Sequence, residues 1–157
     1  WEATANEITQ ITRVALVRTG IVLDREEGAL AKMLPPFKMF VGGPLGSGTQ
    51  YMPWIHRDDW VRMVSWMITA DGARGPLNAT SPLPVTNAEF TATLARVLRR
   101  VAVVHVPAFA PRLVLGEFAD EMLFTSMRVH PARLLATGYR FRFPELEPAL
   151  RHTLGRG

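Results

Sequence analysis

The chain contains no cysteine among its 157 residues. Disulfide frameworks and thiolate metal sites are therefore excluded, and a reducing compartment is permitted. Long apolar runs are missing as well: none reaches the roughly 20 residues that span a bilayer. The opening WEATANEITQ is amphipathic and acidic, without the basic start and apolar centre of a secretion signal. A soluble, cytoplasmic protein is expected, with no membrane partner. The chain also lacks a starting methionine, which suggests that it begins inside a longer protein. Lysine is scarce, present as Lys32 and Lys38, so arginine supplies most of the net charge of +4. The basic residues form no sustained block, which favours a solvated surface over nucleic-acid binding.

What is present is an ordinary globular balance of 48% apolar and 20% charged residues. RVALVRTGIVL, 13–23, is rich in Val, Ile and Leu, and Val14, Leu16 and Val17 predict a buried central strand. Gly20 would interrupt it where a backbone or ligand comes close. Asp24 is placed to cap a helix over about 26–40, broken or kinked at Pro35 and Pro36. A glycine-rich loop at 42–48, a strand at 50–55 and a helix over 58–70 follow, the helix started by Asp58 or Asp59. GPLNATSP, 75–82, reads as a strand and turn. Thr86 with Glu89 forms a capping-box pattern opening a helix over 87–99. A strand at 101–107, a helix at 111–124, a small strand at 126–131, a helix at 132–138 stopped by Gly138, and a helix from Pro144 to about Leu154 complete the reading, after a helix end at 2–10. The alternation predicts an α/β fold with mostly parallel pairing.

The glycine loop GGPLGSG fits no phosphate motif. Thr49 and Gln50 follow Gly48 where a P-loop needs Lys and Ser or Thr. It also lies between a helix and a strand, not between a strand and a helix. WIHRDD, 54–59, gathers His56, Asp58 and Asp59, but no second histidine sits at i+4, so no metal site is expected. One aspartate is assigned to the helix cap, the other to Arg57 or Arg62. His105, His130 and His152 read as isolated surface or core histidines. Glu117, Asp120 and Glu121 read as a solvated helix face. Tyr139, Phe141 and Phe143 alternate like one face of an extended segment packed on the core.

Taken in order, several segments resemble one family. RTGIVL at 18–23, GSGTQYMPWIHRDDWVRM at 46–63, GPLNATSPLPVTNAEFTATLARVLRR at 75–100 and MRVHPARLLATGYRFRFPELEPAL at 127–150 are similar to the C-terminal half of extended short-chain dehydrogenases of the epimerase-like subfamily. That resemblance implies the late part of a Rossmann-type fold, with segments of a substrate lobe in 1–107 and a small helical domain in 108–157. It implies an NADP(H) or NAD cofactor held mainly by an upstream half, hydride transfer as the chemistry, and a small-molecule substrate such as a nucleotide sugar. A homodimer is compatible with it. The catalytic Tyr-x-x-x-Lys pair would lie before Trp1, since Tyr51 and Tyr139 lack a lysine four positions on. By the resemblance, Arg18, Gly20, Ile21 and Val22 flank the nicotinamide side of the cofactor. Gly46, Gln50, Trp54 and His56 belong to the substrate cleft. Met52 stands where sugar-nucleotide epimerases often carry an arginine that holds pyrophosphate. The competing expectation is a non-catalytic regulatory or protein-interaction module.

Overall fold

A computed structural model describes residues 2, 7, 9, 11–101 and 126–156. The 13–23 run is not one strand. It forms β1 (Ala15–Thr19) and β2 (Ile21–Leu23), separated by Gly20. The two halves take different partners. β1 runs parallel to β5 (Gly75–Ala79), with Ala15 opposite Gly75 and Thr19 opposite Ala79. β2 runs parallel to β4 (Trp54–His56), with Ile21 opposite Trp54 and Leu23 opposite His56. Burial is uneven as well: Leu16 is buried, Val14 and Val17 are half-buried, and Arg18 and Thr19 are exposed. The expectation of a uniformly buried strand is corrected to that extent. An antiparallel pair, β3 (Tyr51–Met52) with β6 (Val85–Thr86), completes the described sheets.

The side-chain alternation of β2 and β4 divides the interior into two cores. Leu23 and Trp54 face one, where α1 (Gly28–Lys38), α3 (Asn87–Leu98) and α5 (Leu146–Leu154) supply Leu30, Phe90, Leu94 and Leu150. Val22 and Ile55 face the other, where α2 (Arg57–Thr69) and α4 (Ala132–Ala136) supply Met63, Met67 and Leu134. Tyr139 and Phe141 pack on the second core and Phe143 on the first, so the alternating aromatics do pack inward, but on two cores.

The helix ends differ from the expectations in instructive ways. Asp24 does not cap α1. Its Oδ1 accepts from the Glu26 N–H at 2.8 Å, making a turn ahead of the helix, and Glu27 occupies the cap position. Pro35 and Pro36 lie inside α1, which runs on through them to Lys38. Their carbonyls then close the end, accepting from the Met39 and Val41 N–H groups. Neither Asp58 nor Asp59 caps α2; the His56 ring does. The segment 126–131 forms no strand, and α5 begins at Leu146 rather than Pro144. The strand at 101–107 and the helix at 111–124 lie outside the described residues, except for Val101. The boundary between 107 and 108, His105, Glu117, Asp120 and Glu121 lie outside them too, as does most of the helix end at 2–10.

The capping box is present. Thr86 Oγ1 accepts from the Glu89 N–H at 3.2 Å, and Glu89 Oε2 accepts from the Thr86 N–H at 2.7 Å. The Thr86 N–H and the Thr86 hydroxyl, both donating to Oε2, hold the Glu89 carboxyl below its ordinary value, against an opposing effect of burial. Thr86→Ala is expected to cost about 1 kcal/mol by loss of the cap. Urea unfolding checks this, and a change in midpoint too small to resolve would contradict it.

Candidate functional site

Gly20 is the pivot of the molecule. Its N–H donates to the Ala79 carbonyl at 3.1 Å, and the next N–H, of Ile21, donates to the Pro53 carbonyl at 2.8 Å. A Cβ built on Gly20 would stand 2.8 Å from the Pro53 carbonyl oxygen and 3.0 Å from Thr80 Cγ2. The glycine is thus required by a close approach of three chain segments, as the interruption of the apolar run implied. The carboxyl ends of β1 and β5 meet here. In open parallel sheets this is where ligands bind, at the point where neighbouring strands diverge.

Two polar atoms are buried without a hydrogen-bond partner among the described residues: Trp54 Nε1 and Thr80 Oγ1. Both belong to residues at this junction, and such groups are rare in folded proteins. On the rim, Trp60 Nε1 donates to Thr19 Oγ1 at 3.2 Å. Arg18 is exposed and engaged in a double hydrogen bond with Glu2 at 2.8 and 2.7 Å.

The site residues inferred from the sequence fall into two groups. Ile21, Val22, Trp54 and His56 lie on the paired strands β2 and β4, directly below Gly20. Gly46 and Gln50 lie elsewhere, in the 42–50 loop, which is clamped to the start of α3. There Asn87 Oδ1 accepts from the Leu45 N–H at 2.7 Å, Gln50 Nε2 donates to the Leu45 carbonyl at 3.1 Å, and the Gly48 carbonyl accepts from the Ala88 N–H at 2.9 Å. Gly46 and Gly48 both adopt left-handed backbone, at φ +57° and +70°. These contacts account for the glycines of the loop by turn geometry. Met52 is 3% exposed, and its sulfur accepts from Asn87 Nδ2.

A separate cleft of about 350 Å³ opens where α2 begins. It is lined by Asp24, Arg25, Glu26, His56, Asp58 and His152, among others. His152, isolated in the sequence, is brought against His56, with His152 Nδ1 3.2 Å from His56 Nε2. The Phe143 ring stacks on His56 at 4.1 Å between centroids. His56 Nδ1 accepts from the Asp58 N–H at 3.0 Å. That bond fixes the proton of the neutral ring on Nε2, aimed at His152. Donor atoms of His56, Asp58 and His152 do lie within 4.8 Å of one another. A metal would need the Nε2 lone pair of His56, though, and a ligating histidine usually donates its other N–H. Here that other nitrogen is an acceptor, so the set suits a hydrogen-bonded chain better than a cation. Burial holds the His56 imidazole below its ordinary value; Asp58 and Asp59 oppose this, and His152 and Arg57 reinforce it.

Asp59 is the buried anchor behind this wall. It is fully buried and accepts from the Arg142 and Phe143 N–H groups at 2.7 and 2.8 Å. Its backbone carbonyl accepts from the Tyr139 hydroxyl at 2.9 Å. Burial, with the Asp59 charge nearby, pushes that phenol up to about 12. Neither His152 nor the role of Asp59 could be read from spacing, because their partners lie 96 and 83–84 positions away.

With this geometry in place, comparison with known proteins gives a consistent result. Residues 106–153 match a family described as "Domain of unknown function (DUF1731)". The mouse epimerase family protein SDR39U1 is 44% identical over 152 residues, covering 96% of this chain and 52% of the relative. The human epimerase family protein SDR39U1, solved with NADPH, superposes with a TM-score of 0.86 at 41% identity, covering 92% of this chain and 49% of that one. The chain belongs to the SDR39U1-type epimerase family. A nucleoside-diphosphate sugar epimerase from Corynebacterium glutamicum is also similar, at 32% identity and a TM-score of 0.73, covering 98% of this chain and 29% of that one. The fold is that of the Rossmann-type epimerases, and DUF1731 is the C-terminal domain of the SDR39U1-type family. The chain spans about half the length of the curated relatives it matches. No helix among the described residues is long and apolar enough to cross a membrane.

SDR39U1-type membership directs attention to how a dinucleotide would fit. The described residues offer no glycine turn leading from a strand into a helix for a pyrophosphate. The loop from β2 to α1 carries Asp24, Arg25, Glu26 and Glu27, a net negative charge that disfavours phosphate. The junction at Gly20 is different. It is uncharged, closed by main-chain groups, and edged by the Thr19 hydroxyl. Such a lining would suit an uncharged amide better than a phosphate.

Proposed function

We propose that this chain forms the substrate-side half of an NADP(H)-linked epimerase- or reductase-like protein, acting on a small polar molecule. The observation that carries the reading is the Gly20 junction, where β1 and β5 end together, in a chain 41% identical to a protein solved with NADPH. The cofactor, when bound, would supply reversible hydride transfer at a carbinol carbon. Arg18, Gly20, Ile21 and Val22 line its nicotinamide flank, with Gly20 allowing close main-chain approach. Trp54 and His56 stand on the adjoining strand with buried side chains and shape the substrate cleft from behind, while Gly46 and Gln50 hold the loop beside α3; all four act by positioning. The catalytic acid/base pair belongs to an upstream segment in this reading.

Met52 is buried against Asn87 and offers no positive charge. A sugar nucleotide therefore gains no diphosphate clamp from this position, and the substrate class is drawn more broadly as a polar carbinol, nucleotide sugars included. Cytoplasmic location and a homodimer remain part of the proposal.

The test is titration of NADPH into a full-length protein containing this chain, followed by nicotinamide fluorescence. Saturable enhancement is expected. No binding at millimolar cofactor would remove the reading.

A further inference from the structure

We propose that the His56–His152 pair is an acid-sensitive latch on the N-terminal end of α2, keeping the His56 Nδ1 cap in place when both rings are neutral and opening it when either is protonated. His56 uses both ring nitrogens: Nδ1 accepts from the Asp58 N–H at 3.0 Å, and Nε2 lies 3.2 Å from His152 Nδ1. Both bonds exist together in one protonation state only, with His56 carrying its proton on Nε2 and His152 Nδ1 bare. Adding a proton to His56 places a donor against the Asp58 N–H and removes the side-chain cap of α2. Adding one to His152 turns Nδ1 into a donor. His56 Nε2 must then give up its proton, and the neutral ring can do so only by moving it to Nδ1, which again breaks the cap.

The surroundings reinforce the neutral state. His56 is 2% exposed and packed against the Phe143 ring. It stands at the N-terminus of α2, the positive end of the helix dipole, where a cation is disfavoured. The carboxylates that could stabilise an imidazolium are already engaged. Asp24 pairs with Arg57 at 2.7 Å, Asp58 with Arg142 at 3.4 Å, and Asp59 with two backbone N–H groups and, at 3.8 Å, with Arg62. Arg25 and Glu26 line the same cleft from the loop after β2. His152 itself is exposed, so protons reach the pair from the cleft.

The direction in pH follows. An unfolded histidine takes up its proton near pH ~6.5, whereas the folded His56 is held lower. The latch's contribution is fully present above that unfolded value and is lost as pH falls toward the lowered native one. This window lies above the range in which exposed carboxylates titrate.

The test is amide hydrogen exchange on the full chain. Protection of the amides in the first turn of α2, corrected for intrinsic exchange, should fall about fivefold between pH ~7.5 and ~5.5, the factor carried by one hydrogen bond of ordinary strength. His56→Asn keeps a capping acceptor but cannot be protonated, and in it the fall should disappear. A second readout needs no variant: imidazole nitrogen shifts should show a bare Nδ1 and protonated Nε2 on His56 at neutral pH. Constant protection of the first α2 turn in the unaltered chain, an equal fall in His56→Asn, an equal fall in the α3 amides, or an Nδ1 proton on neutral His56 would each overturn the latch.

Discussion

Asp59→Ala is expected to destabilise the chain by roughly 2–6 kcal/mol, at ~1–3 kcal/mol for each backbone N–H left without its acceptor. The carboxylate is fully buried, and its two oxygens receive the Arg142 and Phe143 N–H groups one each. Nothing else among the described residues bonds these two donors. Their loss frees the segment that carries Tyr139, Phe141 and Phe143 onto the two cores and leads into α5. Stability on this scale is a large fraction of what a small domain possesses. Asp59→Asn keeps one acceptor oxygen and should cost visibly less. Urea unfolding of the three proteins checks the order. Equal midpoints for the alanine variant and the unaltered chain would show that the carboxylate does not hold the tail.

Gly20→Ala should cost about 1–3 kcal/mol, the usual range for forcing an extra methyl group into a packed site. The new Cβ would sit 2.8 Å from the Pro53 carbonyl oxygen, against backbone that cannot swing away as a flexible side chain would. Relief requires β1 and β2 to separate from β5 or β4, because Gly20 and Ile21 bond to both sides. Gly20→Val should be worse than Gly20→Ala by a clear margin. Thermal unfolding checks this. A melting temperature unchanged in both variants would show that the junction has slack, and would also remove the physical reason for a glycine there.

What could be read in the sequence was whatever depends on near neighbours. The Thr86–Glu89 box, Gly138 as a left-handed stop, the interruption at Gly20 and the α/β alternation are all local patterns, and all are present. The errors arose where tertiary contact chose between local options. Asp24, Asp58 and Asp59 are all capable helix caps, and each finds other work: a turn with Glu26, an ion pair with Arg142, and anchorage of the tail. His56 caps α2 in their place. The apolar, strand-forming character of 13–23 was legible, but the exchange of partners at Gly20 was not, because parallel neighbours come from distant segments. The resemblance brought Gly20 and Trp54 into view as candidate site residues. It could not reveal that Gly46 and Gln50 are clamped to α3, nor that His152 meets His56 across 96 positions.

In the proposed function, the ends of β1 and β5 face a nicotinamide. Amide exchange of the full-length protein with and without NADPH addresses this directly. Slowed exchange at 19–22 and 79–81, with the 42–50 loop unchanged, is the predicted result. Saturating NADPH that leaves 19–22 and 79–81 unaffected while protecting other segments would contradict it.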